Sequence, residues 1–140
     1  MPTTDAETLK SILTRVKTIA LVGASDKPDR PSYEVMHFMQ QQGYRVIPVN
    51  PRLAGQIVLG ETVYADLDQL PQPVDMVELF LASERVAPLV DSAIQHKIPV
   101  VWMQVGVIHE ASAARAEAAG LTVVMDRCPK REIPRLGLLL

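Results

Sequence analysis

Residues 18–50 read TIALVGASDKPDRPSYEVMHFMQQQGYRVIPVN. The opening run, TIALVG (18–23), is apolar, rich in β-formers and too short for a core helix, so it reads as a buried strand. A polar loop follows it. From Ser32 onward Tyr33, Val35, Met36 and Met39 recur at helical spacing, and Gly43 stops them. YRVIPVN (44–50) is a second strand that ends at Asn50-Pro51. Strand, helix and strand in this order make a βαβ unit, whose two strands run parallel because the helix carries the chain back to its starting edge.

The same alternation extends outward. Upstream, Thr4 to Glu7 fits a capping box, and Leu9, Ile12, Leu13 and Val16 predict an opening amphipathic helix. Downstream, residues 51–73 are punctuated by Gly55, Gly60, Pro51, Pro71 and Pro73; they leave room for a short edge strand near Val63 and one helical turn at Leu67–Leu70. MVELFLA (76–82) is the third main strand. Val86, Leu89, Val90, Ala93 and Ile94 predict a helix packed on the sheet, and Pro88 belongs in its first turn, so it begins near Ala87. PVVWMQVG (99–106) is a strand, 109–119 an alanine-rich helix closed by Gly120, and LTVVMD (121–126) the last strand. The strands are unbroken apolar runs, as strands buried on both faces must be. The expected fold is α/β: an open doubly wound parallel sheet in a single three-layer domain. No internal boundary or repeat interrupts it. The core spans about 8–136, and the apolar tail 137–140 is expected to pack across the sheet or against a second copy of the chain or another protein.

Composition narrows the function. The chain has 140 residues, 48% of them hydrophobic and 21% charged, with a formal net charge of -2. That suits one globular domain and offers no basic excess for nucleic acid. Cys128 is the single cysteine, and His37, His96 and His109 lack metal-ligand spacing, so neither a disulfide nor a metal cluster is expected. The start, MPTTDAETLK, does not resemble a signal peptide, and no apolar run approaches the ~20 residues that span a bilayer. A cytoplasmic protein without membrane association is the expectation.

In an open parallel sheet, ligands bind beyond the carboxyl ends of the strands. After the first strand come Gly23, Ala24, Ser25, Asp26 and Lys27, then the helix start at Ser32. Small residues let the backbone approach an anion, a helix start offers free N–H groups, and Lys27 and Arg30 add positive field. This describes a diphosphate seat. It equally describes a plain strand-to-helix turn with Ser32 as cap, and both readings stand on these residues alone. The loop lacks G-x-G-x-x-G, and the second strand ends in Asn50 where a dehydrogenase places the acid that binds the adenosine ribose. Arg52 stands nearby instead. It is either a solvated loop cation or a partner for a ribose phosphate, as in NADP or coenzyme A. The remaining strand ends supply Leu81, Ala82 and Ser83, then Met103, Gln104, Val105 and Gly106: apolar walls and one amide. Asp75 and Glu78 do not form a convincing acid/base pair. His109 is more readily a helix cap than a catalyst, and Cys128 more readily an inert thiol than a nucleophile.

VGASDKPDRPSYEVMHFMQQQGYRVIPVNP (22–51), LGETVYADLDQLPQPVDMVELF (59–80), WMQVGVIHEASAARAEAAGLTVVMDRCPK (102–130) and IPRL (133–136) together resemble the small stand-alone CoA-binding proteins. That family is similar to the CoA-binding domain of the succinyl-CoA synthetase α subunit. The resemblance implies a Rossmann-type fold holding coenzyme A, free or acylated. By position, it implies that Gly23, Ala24 and Ser25 surround the diphosphate, with Lys27 and Ser32 on its flank. It implies that Asn50, Pro51 and Arg52 match a segment that in the synthetase carries a phosphate-binding lysine; here the nearest cation is Arg52. It places Leu81 and Ala82 beside the adenosine, and Met103, Gln104 and Val105 near the pantetheine arm. The synthetase also needs a phosphorylated histidine from a second domain and a partner subunit, and this chain contains neither. The expected function is non-catalytic binding of CoA or an acyl-CoA. The alternatives are a small NADP- or acyl-CoA-dependent enzyme, with His109 as its proton-transfer group, or a regulatory subunit with a vestigial CoA site.

Overall fold

A computed structural model of the chain describes every residue except Met1 and Thr4. Five strands form one parallel sheet: β1 (Thr18–Val22), β2 (Arg45–Val49), β5 (Met76–Leu79), β6 (Val100–Met103) and β7 (Thr122–Val124), in the order β2-β1-β5-β6-β7. Two two-residue strands, β3 (Ile57–Val58) and β4 (Glu61–Thr62), pair separately as an antiparallel hairpin. Helices α1 (Ala6–Arg15), α2 (Pro31–Gln41) and α5 (Pro129–Arg135) cover one face, and α3 (Ala87–Gln95) and α4 (Glu110–Ala118) cover the other. The expected three-layer, doubly wound sheet is what the chain forms.

The alternation of side chains along each strand divides the core in two. Ile19, Leu21, Val46, Met76, Val100, Trp102 and Val124 pack under α1, α2 and α5, while Ala20, Val22, Ile47, Val77, Leu79, Val101, Met103 and Val123 pack under α3 and α4. Pro48 lies inside β2 without disturbing the sheet because β2 is an edge strand. Its free edge is covered where Tyr64 donates to the Pro48 carbonyl at 3.0 Å and accepts from the Asn50 N–H at 2.9 Å.

Some element boundaries differ from the expected ones, and others are filled in. Thr4 lies outside the described residues, and the carboxylate capping α1 is that of Asp5, which accepts from the Thr8 N–H at 3.0 Å. Helix α2 begins at Pro31, not Ser32; Arg30 is its N-cap without a side-chain bond, so Ser32 caps nothing and is buried in the first turn. The short edge strand expected near Val63 is β4, followed by the bridge from Tyr64 to β2; β4 also pairs with β3 in a hairpin that turns through Leu59 and Gly60, both with positive φ. The segment after Arg127 packs on the sheet, and it does so as a helix: α5 seats Ile133 in the core, and Leu138 packs behind it. Leu139 and Leu140 stay exposed. No helix among the described residues is long and apolar enough to cross a membrane.

Candidate functional site

The helix after β1 packs on one face and the helix after β5 on the other, so the chain direction diverges between these neighbouring strands. A divergence of this kind opens a crevice at the carboxyl edge. A cleft of about 500 Å³ lies there. Its floor is the turn Gly23–Lys27, one wall is the start of α2 from Arg30 to Ser32, the other is Asn50, Arg52 and Leu53, and Phe80 closes the side toward β5.

The turn owes its shape to Gly23. Its φ is +89°, and a Cβ there would stand 2.1 Å from the Phe80 carbonyl oxygen. Only glycine permits β1 to leave the sheet this close to β5. The Gly23 and Ala24 N–H groups both point to the Val49 carbonyl, at 3.0 and 3.3 Å. They are therefore committed to the sheet and do not serve as anion donors, contrary to the expectation for the stretch 23–25. Among the described residues, the N–H groups of Ser25, Asp26, Ser32 and Tyr33 are left without partners. The Ser25 hydroxyl oxygen accepts from the Lys27 N–H at 3.0 Å, which leaves its own proton to donate.

Asn50 joins the two walls. Its amide donates to the Ala24 carbonyl at 2.8 Å, and its side-chain oxygen accepts from the Arg52 N–H at 2.9 Å. An aspartate has no proton for the first of these bonds, which accounts for the departure from the dehydrogenase pattern at this position. Lys27, Arg30 and Arg52 line the cleft with no acidic partner among the described residues, against the single carboxylate of Asp26. Free N–H groups at a helix start and three unpaired cations form a receptacle for a multiply charged anion.

Of the residues singled out in the sequence, the cleft unites Gly23, Ala24, Ser25, Lys27, Ser32, Asn50 and Arg52. Pro51 is exposed on the adjoining loop. Leu81 packs toward α3 and Ala82 is exposed, because β5 stops at Leu79 and the residue at the rim is Phe80. Phe80 and Leu53 were not anticipated; the apolar run MVELFLA hid the end of its strand. Met103 is fully buried on the α3–α4 face and presents no side chain to the crevice. Gln104 and Val105 line a second cleft, which adjoins the first with Pro31 in both linings.

The other titratable groups have structural tasks. Asp75 lies at the opposite edge of the sheet, where it accepts from the Lys17 and Thr18 N–H groups at 2.8 and 3.1 Å. His109 caps α4 through Nδ1, which accepts from the Ser112 N–H at 3.1 Å. Asp126 accepts from the Gly106 N–H at 2.7 Å. Cys128 is buried at the start of α5. Glu78 is fully buried between Leu21 and Trp102 with neither oxygen hydrogen-bonded, and desolvation pushes its pKa up to about 8. No group of three or more His, Cys, Asp or Glu side chains among the described residues is placed to hold a metal ion.

The CoA binding domain family matches residues 17–134. YneT of Bacillus subtilis (strain 168), described as uncharacterized, is 38% identical over 122 residues that span 87% of this chain and 89% of its own. A hypothetical protein from Pyrococcus horikoshii OT3 superposes with a TM-score of 0.91 at 38% identity, over 97% of this chain and 96% of its own. The Thermus thermophilus protein known as cell-free ID.343 gives a TM-score of 0.90 at 36% identity, over 94% and 98%.

Proposed function

The chain belongs to the family of CoA binding domains, and from that premise we propose that it captures coenzyme A or an acyl-CoA by its diphosphate in the cleft between β1, β2 and α2, without turning it over. The observation that carries this reading is the placement of four free backbone N–H groups and three unpaired cations around one turn. The diphosphate accepts from the Ser25, Asp26, Ser32 and Tyr33 amides and from the Ser25 hydroxyl. Arg52 takes the phosphate on the adenosine ribose, and Lys27 and Arg30 balance the remaining charge. The pantetheine arm runs on past Pro31 toward Gln104 and Val105.

Capture fits the side chains near the strand ends better than turnover does. His109 holds a helix through Nδ1, so taking up a proton there would break a structural bond first. Calorimetric titration with CoA, NADP and NAD tests the reading. CoA is expected to bind, NADP weakly or not at all, and NAD not at all; binding of NAD but not of CoA overturns it. Mass spectrometry of the protein purified without added ligand reports in addition whether the co-purifying species is free or acylated.

A further inference from the structure

Beyond the diphosphate cleft lie two further clefts, each sharing lining residues with the one before it. The first shares Pro31 with the diphosphate cleft and is lined by Gln104, whose side-chain oxygen is buried without a hydrogen-bond partner. An acceptor in that condition marks a place where a ligand N–H is missing. The second shares Val105, Cys128 and Arg131 with the first and ends among Arg127, Arg131 and Arg135. Of the two acids there, Glu132 pairs with Arg135 at 2.5 Å, and Asp126 accepts from the neutral Gly106 N–H at 2.7 Å and keeps its charge. Arg127 reaches only a backbone carbonyl, that of Asp126 at 3.0 Å, and Arg131 has no acidic partner among the described residues. Three guanidinium groups thus face two carboxylates, which leaves a net positive charge at this end, with Arg127 and Arg131 the two not engaged by an acid among the described residues.

We infer that this end receives a terminal carboxylate: the preferred ligand is a CoA thioester of a short dicarboxylic acid, its free carboxylate on Arg131 and Arg127. The inference rests on the CoA reading above. A carboxylate is planar and offers two oxygens to a guanidinium fork, so each arginine forms a charge-assisted pair with it. A simple acyl group such as acetyl offers these arginines nothing. The free thiol likewise leaves them facing water.

The test is calorimetric titration of the full chain with CoA, acetyl-CoA, malonyl-CoA and glutaryl-CoA, and with malonate in the presence of saturating CoA. At least one dicarboxylic thioester is expected to bind about tenfold more tightly than acetyl-CoA, the gain of one charge-assisted contact. In Arg131→Gln combined with Arg127→Gln, the ratio of the two affinities is expected to fall close to one. Because the readout is a ratio within one variant, a general loss of binding does not mimic it. Equal affinity of wild-type protein for acetyl and dicarboxylic thioesters overturns the inference and leaves the CoA reading intact, as does a ratio that survives in the double variant. Free malonate binding alongside CoA and lost in that variant assigns the groove to a separate anion, which also overturns it. Failure of wild-type protein to bind any CoA species removes the CoA reading and this inference with it.

Discussion

Gly23 and Glu78 sit one strand apart and answer to opposite constraints. At Gly23 the backbone is left-handed and a methyl group has no room: Gly23→Ala would put Cβ 2.1 Å from the Phe80 carbonyl oxygen, an atom fixed in the sheet edge. We expect a loss of roughly 3 kcal/mol or more, from the strained φ and the displaced β5 end together, read as a lower urea midpoint. An unchanged midpoint would mean that the turn is not held against β5 as described. At Glu78 the difficulty is charge, not space. Burial lifts the carboxyl pKa to about 8, so the folded protein keeps a proton that the unfolded chain, near the ordinary value of 4.5, has already lost. Stability therefore falls as pH rises from about 5 to 8 and levels off above that, because in this window the folded state binds more protons than the unfolded. Glu78→Gln removes the ionisation. It should flatten that slope and gain on the order of 1–3 kcal/mol at pH 8 in urea unfolding, with little gain at pH 5. Parallel slopes for the two proteins would show the carboxyl to be ionised where it sits. The two residues were not equally legible. A glycine after an apolar run announces a turn, whereas a single acid within MVELFLA discloses nothing about whether it is partnered. Asn50 falls between them: its departure from the dehydrogenase acid was visible in the sequence, and its reason, a proton donated to the Ala24 carbonyl, needed the fold.

Long periodic segments declared themselves in full, and short ones in part: the helical turn at Leu67–Gln69 was legible, the pairing of β3 with β4 was not. Helix α3 begins at Ala87 as the spacing and Pro88 require, and Gly120 follows α4 with φ +92°. By contrast, β3 and β4 have two residues each, too few for an alternation to register, and their turn carries Leu59 where the type I′ geometry favours asparagine. The Gln40 side chain donates to the Leu59 carbonyl at 3.0 Å and helps to hold that unusual conformation. Helix α5 was concealed by its prolines. Pro129 reads as a breaker, although at the first helical position it is favourable, and Pro134 falls in the last turn, where few further bonds are lost. The start of α1 offers a clean test of how one element is held. Asp5 accepts from both the Thr8 N–H and the Thr8 hydroxyl, at 3.0 and 2.9 Å. Asp5→Ala should cost about 1 kcal/mol, through the lost cap and the lost charge at the positive end of the helix, and should lower Tm by a few degrees. Asp5→Asn should recover most of the loss. If alanine and asparagine are equally destabilising, the contribution is the charge and not the bond.

The parallel sheet with helices on both faces could be read from the order of apolar runs, and the family from blocks spread along that order; the chemistry could be read less completely. Sequence located the rim turn, but it could not show which amides the sheet consumes. Gly23 and Ala24 give theirs to Val49, so the amides left free at the rim are those of Ser25, Asp26 and the uncapped start of α2. Every donor in that set comes from the turn after β1 or the first turn of α2, and occupation by a ligand should tie the sheet edge to that helix. A ligand that binds only the folded state stabilises it by RT ln(1 + [L]/Kd), about 2.7 kcal/mol at a hundredfold excess over Kd. In a chain of this size that is a rise in Tm of about 10 °C. Coenzyme A should give such a rise in wild-type protein, smaller at high salt because the contact is between charges. Ser25→Asp should abolish it. The substituted carboxylate would face the phosphates across the cleft, and it can still accept from the Lys27 N–H as Ser25 does, so the fold and the Tm without ligand should change little. Near-wild-type Tm alone together with loss of the CoA shift assigns the diphosphate to this turn; a full shift in the variant places the coenzyme elsewhere on the molecule.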